Sequence, residues 1–271
     1  MKERLWNYFS QVRNTSPLVH NITNYVVMNT TANALLAAGA SPVMAHAQAE
    51  VKDMVGIAGA LVINIGTLDE YWADSMRQAI QQAELTGKPW ILDPVGAGAT
   101  PYRNEFLNEL ITRFHPSVIR GNASEIMSLA QTSVKTKGVD STRETDEAIG
   151  AAISLNQLSG AVICISGATD HIIHKGRSAA LKNGHPLMAK VTGMGCTATA
   201  LTAAFCAASP AELFEATIAA MAVMGVAGER AAAISQGPGT LQMHFLDLLY
   251  TLNEGDFYDT LVFYNDDAIQ L

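Results

Sequence analysis

Six short apolar runs separated by helical patterns constrain this chain more than any other feature. The runs lie at 18–19, 42–45, 61–65, 90–93, 118–120 and 161–166, and are rich in Val, Ile and Leu. Each is too short for a helix and long enough for a buried strand. Helical periodicity fills the intervals at 2–13, 25–38, 50–60 and 72–85, and a further helix begins at Asn122. Strands that alternate with helices pair in parallel, and the crossover helices cover both faces of the sheet. The pattern therefore predicts an α/β fold with a mostly parallel central sheet. A hairpin is expected over 171–181, turning at Lys175-Gly176, and the chain beyond residue 196 reads as nearly all helix. No linker or internal repeat divides the sequence, so one domain over 1–271 is expected.

Ligands on such sheets bind beyond the carboxyl ends of the strands. That rule singles out the loops at 21–24, 44–46, 66–67, 93–98, 120–125 and 166–170. The polar stretch at 135–146 reads as a solvated surface loop.

The most informative motif is Val191-Thr192-Gly193-Met194-Gly195-Cys196, ahead of an uncharged small-residue helix. A Gly-x-Gly turn feeding a helix leaves backbone N–H groups unpaired, and the aligned peptide dipoles add about half a positive charge. Such a terminus is an anion site, with phosphate the usual occupant. Cys196 sits just inside it, where a lowered thiol pKa is expected. The same spacing also suits a buried structural cysteine.

Two further stretches carry carboxylates at strand ends. Asp93-Pro94-Val95-Gly96-Ala97-Gly98 places Asp93 where it can serve an octahedral metal through water, or simply form a turn. Asn122-Ala123-Ser124-Glu125 places Glu125 in the first turn of a helix, as a cap or as a carboxylate near a phosphate-bound Mg²⁺. Arg120, just before, offers a planar cation for phosphate. The seven histidines are scattered. There is no P-loop, no His-Glu-x-x-His or paired-Cys metal pattern, and no nucleophile elbow.

Composition bounds the partners. A net charge of −8 argues against a general nucleic-acid binder. Charged residues make up only 15% of the chain, which suggests that some surface is covered by other copies of it. Cysteines at 164, 196 and 206 give an odd, unpaired count suited to a reducing cytoplasm, and neither a signal peptide nor a membrane span is expected.

In combination, the Asp-Pro-Val-Gly-Ala-Gly, Asn-x-x-Glu and Gly-x-Gly-Cys motifs resemble the ribokinase-like superfamily. With Pro42-Val43-Met44 and Arg120-Gly121-Asn122-Ala123-Ser124-Glu125 they resemble the hydroxyethylthiazole kinase family, over about residues 16–249. Met194 and Ser166 depart from the family's usual smaller residue and threonine. The resemblance implies a three-layer α/β/α fold without a separate lid domain. It also implies ATP-dependent phosphorylation of 4-methyl-5-(2-hydroxyethyl)thiazole in thiamine salvage. Cys196 is then the catalytic residue, at a position where related sugar kinases carry an aspartate base. Met44, Asn24, Gly66 and Gly193 would line the thiazole alcohol site. Arg120, Ser166 and Gly195 would contact the nucleotide, and Asp93 and Glu125 would serve Mg²⁺. A homotrimer with sites at subunit contacts is the family's assembly. The alternatives are a pyrimidine or sugar kinase on the same fold, or an idle nucleotide-binding regulator. A dehydrogenase lacks its Gly-x-Gly-x-x-Gly after the first strand.

Overall fold

In the computed structural model, which describes residues 1–134 and 144–264, β1 (Leu18–Ile22) occupies an interior position of the sheet, between β2 (Ser41–Val43) and β3 (Ala60–Asn64). The sheet continues through β4 (Trp90–Asp93), β5 (Val118–Asn122), β6 (Val162–Ser166), β7 (Asp170–His174), β8 (Arg177–Leu181) and β9 (Phe263–Tyr264). The strand order is β2-β1-β3-β4-β5-β6-β7-β8-β9. The first six strands are parallel, and the pairs from β6 to β9 are antiparallel. All nine strands of the described residues belong to this sheet, so none forms a separate lid.

Helices cover both faces. On one side lie α1 (Lys2–Thr15), α2 (Met28–Ala38), α8 (Met194–Ala208), α9 (Leu213–Ile234), α10 (Pro238–Thr251) and α11 (Glu254–Thr260). On the other lie α3 (Val51–Ile57), α4 (Glu70–Leu85), α5 (Pro101–Arg113), α6 (Ala123–Val134) and α7 (Glu144–Ser159). α9 is long and apolar enough to cross a membrane, yet most of it is buried inside the fold as a core helix.

Strand alternation sorts the side chains between the two cores. Ala60, Val62, Ile91, Val118, Val162 and Cys164 pack on the α8 side. Leu61, Ile63, Leu92, Ile119, Ile163 and Ile165 pack on the opposite side. Counting on by two, the next residues on the α8 side are Asn64, Asp93 and Ser166, which end β3, β4 and β6, and Arg120, in the middle of β5. The sheet thus gathers four polar side chains at one end of one face.

Several element boundaries differ from the sequence reading. β1 does not stop at Val19; it runs through His20 and Asn21 to Ile22, because both polar residues are fully buried and pair with β2 or β3. β2 ends at Val43, which leaves Met44 in the following loop. α2 starts at Met28, after a turn at 25–27. The helices α5 and α7 and the short strand β9 were not anticipated. Thr100 caps α5 with Pro101 in its first turn, a start signal present in the sequence. The hairpin is as expected: Lys175 and Gly176 have φ of 46° and 76°, the positive pair that a two-residue turn requires. Of the expected surface loop, 135–143 lies outside the described residues, and 144–146 opens α7.

Candidate active site

Gly193 makes the site possible. It caps α8 at φ 83°, a left-handed conformation that favours glycine. A Cβ there would lie 2.6 Å from Val27 Cγ1, so the helix start fits tightly against the chain entering α2. The first intrahelical bond is Thr197 N–H to Gly193 O, at 2.8 Å. The N–H groups of Met194, Gly195 and Cys196 precede it and form the positive end of the helix.

Beneath that end lies a buried polar network. Asp93 Oδ2 accepts from Asn64 Nδ2 at 2.7 Å and from Thr199 Oγ1 at 2.8 Å. Arg120 Nη1 donates to the same Thr199 hydroxyl at 3.4 Å. Asn64 Oδ1 accepts from Asn24 Nδ2 at 2.9 Å and from Gly66 N–H at 3.0 Å. Asn24 Nδ2 also reaches Cys196 Sγ at 3.5 Å. Asn24, Asn64, Asp93, Arg120 and Thr199 are all buried. Three expected site residues, Asn24, Gly66 and Asp93, are therefore joined through one amide, that of Asn64, and Asn24 extends the network to Cys196.

The electrostatics correct one expectation. Cys196 was expected to have a lowered pKa at the helix start. Instead burial, followed by the charge of Asp93, pushes it up to about 11, against smaller downward effects from Asn64, Asn24 and Arg120. The thiol keeps its proton at neutral pH. Burial likewise pushes Asp93 up to about 6, opposed by Arg120 and reinforced by Glu125. A proton or a nearby cation would relieve that carboxylate pair.

Glu125 performs the capping role that its position allowed. Its Oε2 accepts from Asn122 N–H at 2.9 Å, while Asn122 Oδ1 accepts from Glu125 N–H at 2.9 Å. Oε1 accepts from Gly96 N–H at 3.0 Å, which ties the turn after β4 to the start of α6. Among the described residues no group of three His, Cys, Asp or Glu side chains could hold a metal alone. Two carboxylates with open lone pairs still fit Mg²⁺, which takes one or two carboxylates and fills its shell with water and phosphate oxygens.

The nucleotide-side residues fall in two places. Arg120 is buried beneath Gly195, where an added Cβ would lie 3.5 Å from Nη1. Ser166 donates to Gly121 O at 3.3 Å and lines a cavity of about 460 Å³. The cavity lies between the start of α6 at Asn122–Ser124 and the turn at Gly167–Thr169. Asp170 holds that turn by accepting from Gly167 N–H at 3.0 Å. On the acceptor side, the Met44 loop is pinned by His20 Nε2, which donates to Ala45 O at 2.7 Å. Burial lowers the His20 pKa, in keeping with a neutral ring in that role. The rings of His46 and Tyr25 each lie 4.7 Å from Trp72, so this loop and the Asn24 loop share one aromatic support.

Three residues escaped the sequence reading, Asn64, Thr199 and Arg103, while Asp170 lay in a loop it singled out but without a role of its own. Asn64 could have been found, because an amide ending the apolar run Ala-Leu-Val-Ile, two residues before a glycine, breaks the strand's pattern. Arg103, on the unanticipated α5, donates to the carbonyls of Ile65, Val95 and Gly66 and clamps two site loops together.

Comparison with known proteins gives a consistent answer. The model of the hydroxyethylthiazole kinase family matches residues 9–255. A hydroxyethylthiazole kinase of Syntrophus aciditrophicus (strain SB) is 55% identical over 255 residues, covering 94% of each chain. The solved structure of a hydroxyethylthiazole kinase protein from Pyrococcus horikoshii OT3 superposes with a TM-score of 0.90 at 41% identity, covering 97% of this chain and 99% of that one. A ribokinase-like superfamily protein from Enterococcus faecalis V583 shares the fold at a TM-score of 0.65 and 15% identity, covering 92% of this chain and 94% of the other.

Proposed function

The chain belongs to the hydroxyethylthiazole kinase family, and on that premise we propose that it phosphorylates the hydroxyl of 4-methyl-5-(2-hydroxyethyl)thiazole with ATP, in thiamine salvage. The observation that carries this reading is the start of α8, standing over the strand-end cluster with Asn24 and Gly66 on one flank and Arg120 on the other.

The roles follow from where the groups lie. Met194, Gly195 and Cys196 present N–H groups to the transferring phosphoryl, whose charge is spread over its three peripheral oxygens. Arg120 adds positive charge from below, and the cavity at Ser166 takes the nucleotide. Asn24, Met44, Gly66 and Gly193 shape the alcohol side, with the acceptor hydroxyl against Cys196 Sγ. Because Cys196 is a protonated thiol, it guides the hydroxyl by contact and does not strip its proton in the ground state. Phosphoryl transfer passes through a loose transition state, so the proton can leave late, to an oxygen of the newly attached phosphoryl group or to water. Asp93 and Glu125 would hold Mg²⁺ through water, and the ion would neutralise charge on the phosphates. Asp93 and Arg120 lie on neighbouring strands and meet at the Thr199 hydroxyl of α8, so sheet and helix set their mutual geometry.

Assembly belongs to the same proposal. Tyr25 and Val26, next to Asn24, are 59% and 62% exposed, an apolar flank beside the acceptor side. A homotrimer that covers this flank would also exclude water from the reaction. We propose one kinase domain over the whole chain. We place it in the cytoplasm, in keeping with three unpaired cysteines.

A coupled ADP-release assay tests the reading, with the thiazole alcohol, hydroxymethylpyrimidine and ribose as rival acceptors. Turnover with the thiazole alcohol at least tenfold above the others supports it. Preference for another acceptor moves the enzyme within the superfamily, and nucleotide binding without turnover turns it into a regulator. Sedimentation of the active preparation as a monomer would remove the trimer.

A further inference from the structure

We propose that Asn64 is a positioning residue for phosphoryl transfer, a single amide that sets the acceptor side and the phosphate side of the site in one register. The inference rests on the kinase reading above and adds to it a residue that touches neither substrate.

A primary amide offers two acceptor lone pairs and two donor hydrogens. Asn64 uses them in a divided way. Its oxygen faces the acceptor side and takes Asn24 Nδ2 at 2.9 Å and Gly66 N–H at 3.0 Å. Its nitrogen faces the phosphate side, donating to Asp93 Oδ2 at 2.7 Å, and the Asn24 amide it holds reaches Cys196 Sγ at 3.5 Å. The orientation is dictated by the partners. A flipped amide would aim hydrogens at two other N–H donors and its oxygen at a carboxylate. The residue is 1% exposed, so water cannot replace a lost partner.

The backbone supports the assignment. Asn64 and Asp93 are register partners at the ends of adjacent parallel strands, so the amide and carboxylate start from fixed, neighbouring Cα positions. Gly66 lies two residues along the chain, and a Cβ there would lie 2.7 Å from Asn24 Nδ2. Asn24, Gly66 and Asn64 therefore form one packed unit. If that unit shifts, the alcohol shifts relative to Asp93 and Cys196. Misplacement of reacting atoms by about 1 Å can cost about 100-fold in rate.

Stability also depends on such a group, so the test must separate position from folding. Two variants do so. Asn64→Leu removes all three bonds at similar volume. Asn64→Ser keeps a hydroxyl that can still accept locally from Gly66 N–H, as serine does in tight turns, but is too short to hold Asp93. For folded Asn64→Leu, calorimetry with the thiazole alcohol alone is expected to show affinity weakened on the order of 10-fold. Its kcat should fall by more than that, with nucleotide affinity unchanged. Asn64→Ser is expected to retain most of the alcohol affinity and to lose kcat. A lower melting temperature with alcohol affinity and kcat intact in either folded variant overturns the inference, and leaves Asn64 a stability residue. If Asn64→Leu does not fold, the kcat-against-affinity split of Asn64→Ser decides. An inactive wild type refutes the kinase reading instead, while an active wild type with insensitive variants refutes only this inference.

Discussion

Thr199 Oγ1 donates to Asp93 Oδ2 at 2.8 Å from three residues beyond Cys196 on α8, so the helix that presents the N–H groups is fastened to the end of β4 by one hydroxyl. The same oxygen accepts from Arg120, so the bond links a strand-end carboxylate, a helix and a buried cation. Thr199→Val keeps the shape and removes the link. It leaves buried charged groups short of a partner, which costs about 1–3 kcal/mol. Urea unfolding should show that loss, with a fall in kcat, while Thr199→Ser stays near the wild type. Unchanged kcat in a destabilised Thr199→Val would confine the bond to stability.

Cys196 offers a second check. A thiol raised to about 11 is a poor base at neutral pH. Cys196→Ala is therefore expected to keep measurable turnover, with a loss no greater than a general-base contribution of about 10²–10⁴-fold. Cys196→Asp should be active. A folded but dead Cys196→Asp would show that the position cannot carry a carboxylate beside Asp93.

The cap of α8 admits no side chain. Gly193→Ala places a Cβ 2.6 Å from Val27 Cγ1 and holds alanine at φ 83°. The backbone conformation alone costs about 1–2 kcal/mol. A lower melting temperature and weaker binding of the thiazole alcohol are expected together, because the displaced Val27 belongs to the loop that follows Asn24. Calorimetry and thermal unfolding of one preparation check both.

Asp170 predicts a pH effect. Burial pushes it up to about 6, against smaller downward effects from Gly167 N–H and Arg120. The unfolded side chain titrates near 4. The unfolded state therefore loses its proton first as pH rises, and a cost to folding builds between about 4 and about 6. Asp170→Asn keeps an acceptor for Gly167 N–H and removes the charge. It should raise the melting temperature at pH 7.5 and leave it unchanged at pH 4. An equal difference at both values would mean that burial of the charge is not the cause.

The parallel order was legible because β3, β4 and β6 carry the apolar runs Ala-Leu-Val-Ile, Trp-Ile-Leu and Val-Ile-Cys-Ile, and glycines follow in the loops after them. β1 was cut short because His20 and Asn21 look like loop residues. Only the tertiary partner of His20, Ala45 O, explains its burial. The Cys196 pKa was misjudged for a related reason. A sequence shows the helix start, but not the depth of the thiol or the carboxylate beside it. Arg103 was invisible because its partners are backbone carbonyls, which leave no mark on side-chain pattern.

Asn64, Asp93, Arg120 and Ser166 owe their shared location to parity along four strands. A slip of one residue in any of those strands would send its reactive end into the apolar layer opposite. Misregistered chains would thus bury a charge, an amide or a hydroxyl in hydrocarbon and lose stability as well as turnover. The apparatus for catalysis doubles as a proofreader of its own folding.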